Sequence, residues 1–145
     1  MVGSIPAQQS TGQRLKIGEV ATASHLPVKT IRYYEEIGLL VPTVLRSEAG
    51  YRLFEATVLN RLAFIKRSQA LGLSLTEIKT ILAVHDEGAL PCGEVKQHLQ
   101  EKVDAINRQI ESLLTLRSEL QGLLSGWQDQ PDSASQSTIC PNLHV

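Results

Sequence analysis

The sequence predicts a mostly α-helical chain: a small domain of short helices and a strand hairpin, then one long helix, then a short C-terminal loop. Three observations carry this reading. Two apolar-periodic segments are punctuated at Leu26 and Pro27, residues 39–54 look like two strands around a polar turn, and a leucine-rich stripe runs from Leu99 to Leu123. A chain of 145 residues accommodates one compact domain plus an appendage.

The first fourteen residues, MVGSIPAQQSTGQR, are polar and aperiodic and read as a flexible arm, 1–14. Ile17, Val20 and Ala21 then share one helical face, and this short helix gives way near Ser24 and His25. Pro27, at a first helical position, opens a second helix with Ile31, Tyr34 and Ile37 on one face and Gly38 as its stop. Tyr34 lies on the apolar face and reads as core. Two short helices joined by a tight turn form a helix-turn-helix, whose second helix enters the DNA major groove. Residues 39–54 add a hairpin wing around Ser47, Glu48, Ala49 and Gly50, with Arg46, Tyr51 and Arg52 flanking its tip.

A further helix through Leu59, Leu62, Ala63, Phe64 and Ile65 ends near Gly72. The run from Ser74 to Glu77, S-L-T-E, is a capping box for the next helix, whose apolar face is Ile78, Ile81 and Leu82. The winged helix-turn-helix domain therefore occupies 15–88. Beyond Pro91, Leu99, Val103, Ile106, Ile110 and Leu113 recur at steps of four and three, and Leu116, Leu120 and Leu123 continue the stripe after one phase adjustment. The stretch from Cys92 to Ser125 is 34 residues, about 51 Å of helix. The rest of the chain offers no second helix of that length, so residues 91–126 are expected to form a dimerisation helix paired with a second copy. Residues 127–145, rich in Ser, Asp, Gln and Pro until ICPNLHV, read as a loop.

Charge is divided unevenly. Residues 1–80 hold ten Lys or Arg against six Asp or Glu, whereas residues 81–145 hold four against nine. The basic half suits a polyanion such as nucleic acid, and the acidic half suits solvent and protein partners. No apolar run approaches the length of a membrane span, and residues 1–14 lack the pattern of a signal peptide, so the expectation is a cytoplasmic chain with no membrane role. Cys92 and Cys140 are too few for a disulfide scaffold and read as free thiols or metal ligands. Catalysis is not expected: there is neither a phosphate-binding glycine loop nor a nucleophile-base spacing.

The stretches KIGEVA, PVKTIRYYEEIGLLVP, GYRLF and LAFIKRSQALGLSLTEIKTIL resemble the N-terminal half of MerR-type transcriptional regulators over residues 15–85. That resemblance implies a winged-helix homodimer whose antiparallel coiled coil spans two half-sites of promoter DNA. It also implies an effector site at the ends of the coil, RNA polymerase as a partner, and activation by twisting and bending the promoter. DNA contacts are expected from Lys29, Thr30, Arg32 and Tyr33 at the start of the second helix, and from Arg46, Tyr51 and Arg52 on the wing.

For the effector, Cys92 opens the long helix, where the positive end of the helix dipole favours the thiolate that a soft metal binds. Cys140 and His144 lie four residues apart, so sulfur and imidazole can converge from one loop. The resemblance implies that Cys92 matches the helix-start cysteine of relatives responding to zinc, cadmium, lead or mercury, whereas copper(I)-type relatives carry a serine. Those relatives have two loop cysteines; Cys140 with Pro141 resembles the second, and Trp127 or its neighbours stand where the first is expected. The expected ligand set is Cys92, Cys140 and His144, completed by water or an acid such as Asp129. His85 and His98 read as surface residues, His98 lying close enough in sequence to Cys92 to support it. Two other readings are a thiol redox-sensing regulator using Cys92 and Cys140, and a dimerisation module with an idle DNA domain.

Overall fold

The computed structural model describes residues 13–132 and 138–143. Its elements in chain order are β1 (Arg14–Leu15), α1 (Ile17–Ser24), α2 (Val28–Glu36), a 3-10 turn at Val41–Thr43, β2 (Val44–Arg46), β3 (Arg52–Glu55), α3 (Val58–Ala70), α4 (Leu75–Asp86) and α5 (Cys92–Ser125). The chain divides into two compact units, one running to Leu99 and one beginning at Gln100.

In the first unit, α1 starts where the Glu19 carboxylate accepts the Lys16 backbone N–H at 2.8 Å. It ends as His25 turns left-handed, with φ 60°, and donates its N–H to the Ala21 carbonyl. Pro27 proves to be the N-cap of α2 rather than its first helical residue, because its ψ of 148° is extended. The ring fixes φ near the helical value but leaves ψ free, so the sequence signal was off by one position. Gly38, with φ 86°, reverses the chain after α2, and a Cβ there would come within 3.2 Å of Lys79 Nζ. That ammonium donates to the Ile37 carbonyl at 2.9 Å, tying the end of α2 to α4.

The wing has three strands in the order β1-β3-β2, all antiparallel. Arg14 pairs with Glu55 and Leu15 with Phe54, so the expected arm is shorter than 1–14: Arg14 is a strand residue, and residues 1–12 lie outside the described residues. Two residues are too few for an alternating pattern; β1 exists because β3 offers it an edge. Leu39 and Leu40 do not enter a strand. They are fully buried, and Leu40 accepts the Thr43 hydroxyl at 2.8 Å.

Val20, Ile31, Tyr34, Phe54, Val58, Leu62, Ile65, Ile78 and Ile81 form one core drawn from α1 to α4 and β3, and Leu15 of β1, Val44 of β2 and Val95 pack against its margin. The expected capping box is present, with Ser74 Oγ accepting the Glu77 N–H at 3.1 Å and Glu77 Oε1 accepting the Ser74 N–H at 2.8 Å. In contrast, α5 runs its full 34 residues with none buried. In the second unit, Val103, Ile106, Ile110, Leu113, Leu116 and Leu120 are each about half exposed, and one apolar seam follows the helix.

Candidate functional site

On α2, Lys29, Arg32 and Tyr33 are exposed and Thr30 is half-buried. Residues three and four apart share a helix face, so Lys29, Arg32 and Tyr33 form one outward patch while Ile31 and Tyr34 face the core. The Tyr34 hydroxyl donates to Gln69 Oε1 at 2.6 Å, and burial pushes its phenol upward from the usual value. Tyr34 is thus the core residue that its position predicts, and Tyr33 is half exposed.

On the wing, Arg46 pairs with Arg52 across β2 and β3. Arg46 Nη1 donates to the Gly50 carbonyl at 3.1 Å, bracing the turn, while the Tyr51 ring lies 5.8 Å below Lys16 Nζ. Arg52 Nε is 2.5 Å from Glu35 Oε1, an ion pair that joins the wing to the last turn of α2. This ion pair links the wing to α2, and Arg52 has a structural partner that its sequence position does not reveal.

Sequence reasoning does not single out Arg61, and it is the most engaged cation among the described residues. Only 8% exposed, it donates from Nε to the Leu39 carbonyl and from Nη1 and Nη2 to the two Asp86 carboxylate oxygens at 2.6 and 2.9 Å. The Arg61 hydrogen bonds hold the Asp86 carboxyl below its usual value, against the opposing effect of burial. A signal was available: Arg61 falls at a core-facing position between Val58, Leu62 and Ile65.

The two thiols are free. Cys92 is exposed at the first position of α5, where Val95 donates its N–H to the Pro91 carbonyl at 3.0 Å and closes the first turn. In the second unit, Trp127 N–H donates to the Leu124 carbonyl at 3.1 Å as α5 ends. The tail then returns: Gln128 N–H donates to Asn142 Oδ1 at 2.9 Å and Asn142 Nδ2 donates to the Gln128 carbonyl at 2.8 Å. This reciprocal pair anchors the turn carrying half-buried Cys140, whose carbonyl accepts the Leu143 N–H at 3.1 Å. Asp129 is exposed. His144 lies outside the described residues. His98 is not the surface residue expected: it is half-buried, with Nδ1 3.5 Å from Glu77 Oε2.

A family model described as "MerR HTH family regulatory protein" matches residues 15–84, and one described as "MerR, DNA binding" matches residues 59–123. The chain is 39% identical over 120 residues to the HTH-type transcriptional regulator HmrR of Rhizobium leguminosarum bv. viciae, covering 81% of this chain and 92% of that protein. This protein belongs to the MerR family of transcriptional regulators. Among solved structures, it is similar to the transcription regulator PbrR691 from Ralstonia metallidurans CH34 in complex with lead(II), with TM-score 0.67, 33% identity and coverage of 81% of this chain and 91% of that one. It is also similar to HiNmlR, a MerR family regulator lacking the sensor domain and bound to promoter DNA, with TM-score 0.53, 25% identity and coverage of 78% and 85%. The mostly helical architecture with its small wing and long C-terminal helix is that of the MerR regulators. No helix among the described residues is long and apolar enough to cross a membrane.

Proposed function

We propose that this MerR-family chain is a metal-responsive transcriptional regulator that binds a promoter dyad as a homodimer and raises transcription by distorting the DNA when a thiophilic divalent ion is bound. The observation that carries the reading is the pairing of an unburied apolar seam on α5 with one free cysteine at the start of that helix and another beyond its end. Residues 15–88 serve as the DNA-binding domain, 91–126 as the dimerisation helix and 127–145 as the effector loop. Antiparallel pairing of two seams sets the start of one helix beside the end of its partner, so Cys92 of one protomer meets Cys140 and His144 of the other. The ion, zinc, cadmium, lead or mercury, supplies a bond between the two protomers. The solved structure of a relative holding lead(II) supports an ion of this type.

On the DNA side, Lys29, Thr30, Arg32 and Tyr33 read the major groove, and Arg46, Tyr51 and Arg52 approach the phosphates from the wing, with RNA polymerase engaged on the same promoter. Because Glu35 ties Arg52 to α2, a rotation of the domain carries both contacts together and bends the DNA between half-sites. The test is a reconstituted promoter assay with footprinting. Protection of a dyad and a transcriptional rise with cadmium or mercury are expected, and Cys92→Ser abolishes the rise while leaving the footprint. An unchanged metal response in that variant, or an equal rise with peroxide under chelation, defeats the reading.

A further inference from the structure

We propose that the corner between α2 and the wing is where the bound ion's effect reaches the DNA, and that Lys79 and the Arg61–Asp86 pair are the positioning residues that carry it there; this rests on the metal-responsive reading above. The corner is formed by Ile37, Gly38 and Leu39. It follows Glu36, the last residue of α2, and Gly38 turns the chain with φ 86°. Beyond it, Leu39 and Leu40 are fully buried and lead through the 3-10 turn into β2. The Arg52–Glu35 ion pair fastens β3 to α2 across the same corner, so a movement here turns both DNA-facing elements.

The carbonyls on either side of Gly38 are each gripped by a cation. Lys79 Nζ donates to the Ile37 carbonyl at 2.9 Å, and Arg61 Nε donates to the Leu39 carbonyl. Neither carbonyl belongs to a helix or a strand, so each takes its partner from elsewhere. Both partners lead to one element. Lys79 stands on α4, and the Arg61 guanidinium is locked through Nη1 and Nη2, at 2.6 and 2.9 Å, to Asp86, the last residue of α4. Asp86 lies seven positions after Lys79, two helical turns, so one face of α4, about 10 Å long, holds the corner at both sides. A Cβ at Gly38 would come within 3.2 Å of Lys79 Nζ, so glycine is also what lets the ammonium reach its carbonyl. Lys79 is exposed, and tying down a long exposed side chain contributes little to folding. What the contact fixes is the position of the corner.

The other end of α4 faces the effector. After Asp86, Gly88 reverses the chain with φ 94° and α5 opens at Cys92, with Val95 packed against the margin of the core. Asp86 is thus both the residue of α4 nearest in sequence to the thiol assigned to the ion and the anchor of the Arg61 grip. An ion that joins Cys92 to the partner protomer restrains the start of α5 and the turn before it. The helix α4 moves as a rod, and its two grips pass the displacement to Gly38, which has no Cβ to resist a change of φ and ψ.

The experiment uses the full-length protein, cadmium ion and a duplex carrying the footprinted dyad, labelled at its ends with donor and acceptor dyes so that energy transfer reports distortion of the bound DNA. Lys79→Met, Asp86→Asn and their double variant are compared with wild type. Lys79→Arg is the conservative rescue, and Ser74→Ala weakens the cap of the same helix while leaving both grips. Cadmium-thiolate absorbance, and duplex affinity without cadmium, are expected to match wild type in every variant. Each single variant lowers the equilibrium constant for cadmium-driven distortion by about fivefold, and the double variant abolishes the change. Lys79→Arg and Ser74→Ala keep it, the latter despite a lower urea midpoint. A wild-type change of energy transfer in the double variant overturns the proposal. Lost duplex affinity in cadmium-free Lys79→Met also overturns it, by assigning Lys79 to the DNA, as does a loss in Ser74→Ala equal to that of the double variant, which makes the effect one of folding. No change of energy transfer when cadmium is added to wild type defeats the metal-responsive reading itself.

Discussion

Arg61 shows how much one side chain decides. Its guanidinium fills the junction of α3, the end of α4 and the Leu39 carbonyl at the entry to the wing, and it satisfies three acceptors at once. Arg61→Ala leaves the Leu39 carbonyl and one partly exposed carboxylate without their donor, and a loss of about 2–3 kcal/mol in urea unfolding is expected. The Asp86 carboxyl is held low by this pairing, so its stabilisation is complete at neutral pH and is lost only as pH falls through that lowered value. The stability gap between wild type and Asp86→Asn should stay constant down to the ordinary aspartate value of about 3.9 and close below it, as followed by urea midpoints over a pH series. A gap that narrows already near pH 6 contradicts the assignment. Charge counting treats every arginine as a solvated cation and so passes over Arg61; only its place on the Val58, Leu62 and Ile65 face marks it as buried, and the Asp86 and Leu39 partners have no local signal.

Elements were more legible than their junctions. The bounds of α5, Cys92 to Ser125, follow directly from the seam and from Pro91, and the Ser74–Glu77 box marks α4. Helix periodicity and caps are local signals, readable over one or two turns. By contrast β1, the Arg52–Glu35 pair and the Lys79 contact with the end of α2 join residues far apart in sequence, and no local pattern encodes them. The tail is intermediate: Cys140 stood out in the sequence as a candidate ligand, but the Asn142 side chain that anchors its turn to Gln128 did not. Asn142→Ala removes both hydrogen bonds and should weaken cadmium binding by about tenfold through the cost of ordering the loop, with Trp127 fluorescence, one residue from the anchor, shifting in the metal-free protein. Asn142→Asp, which keeps the acceptor for the Gln128 N–H, should recover part of the affinity. Equal cadmium affinity in all three proteins removes Asn142 from any role in placing Cys140.

At the scale of the whole molecule, the winged domain buries its core by itself and the long helix does not. A seam in which Ile110 and Leu113 stand 49% and 64% exposed leaves a long apolar face uncovered in the single chain, and in the proposed homodimer a second copy covers it. Ile110→Glu places a charge in the middle of that seam; sedimentation should then report a single-chain species, with the winged domain still folded and cooperative DNA binding lost. A dimer that survives this change would place the interface elsewhere.

The central claim is that the metal site is shared between protomers, with Cys92 from one and Cys140 from the other. Heterodimers of a Cys92→Ser chain and a Cys140→Ser chain, isolated with two different tags, test it most directly through cadmium-thiolate absorbance. Across an antiparallel pair, one end of the heterodimer keeps both sulfurs and the other loses both. One cadmium per heterodimer, with none retained by either parent homodimer at the same concentration, is the predicted result. A heterodimer that binds no more cadmium than its parents would contradict the claim.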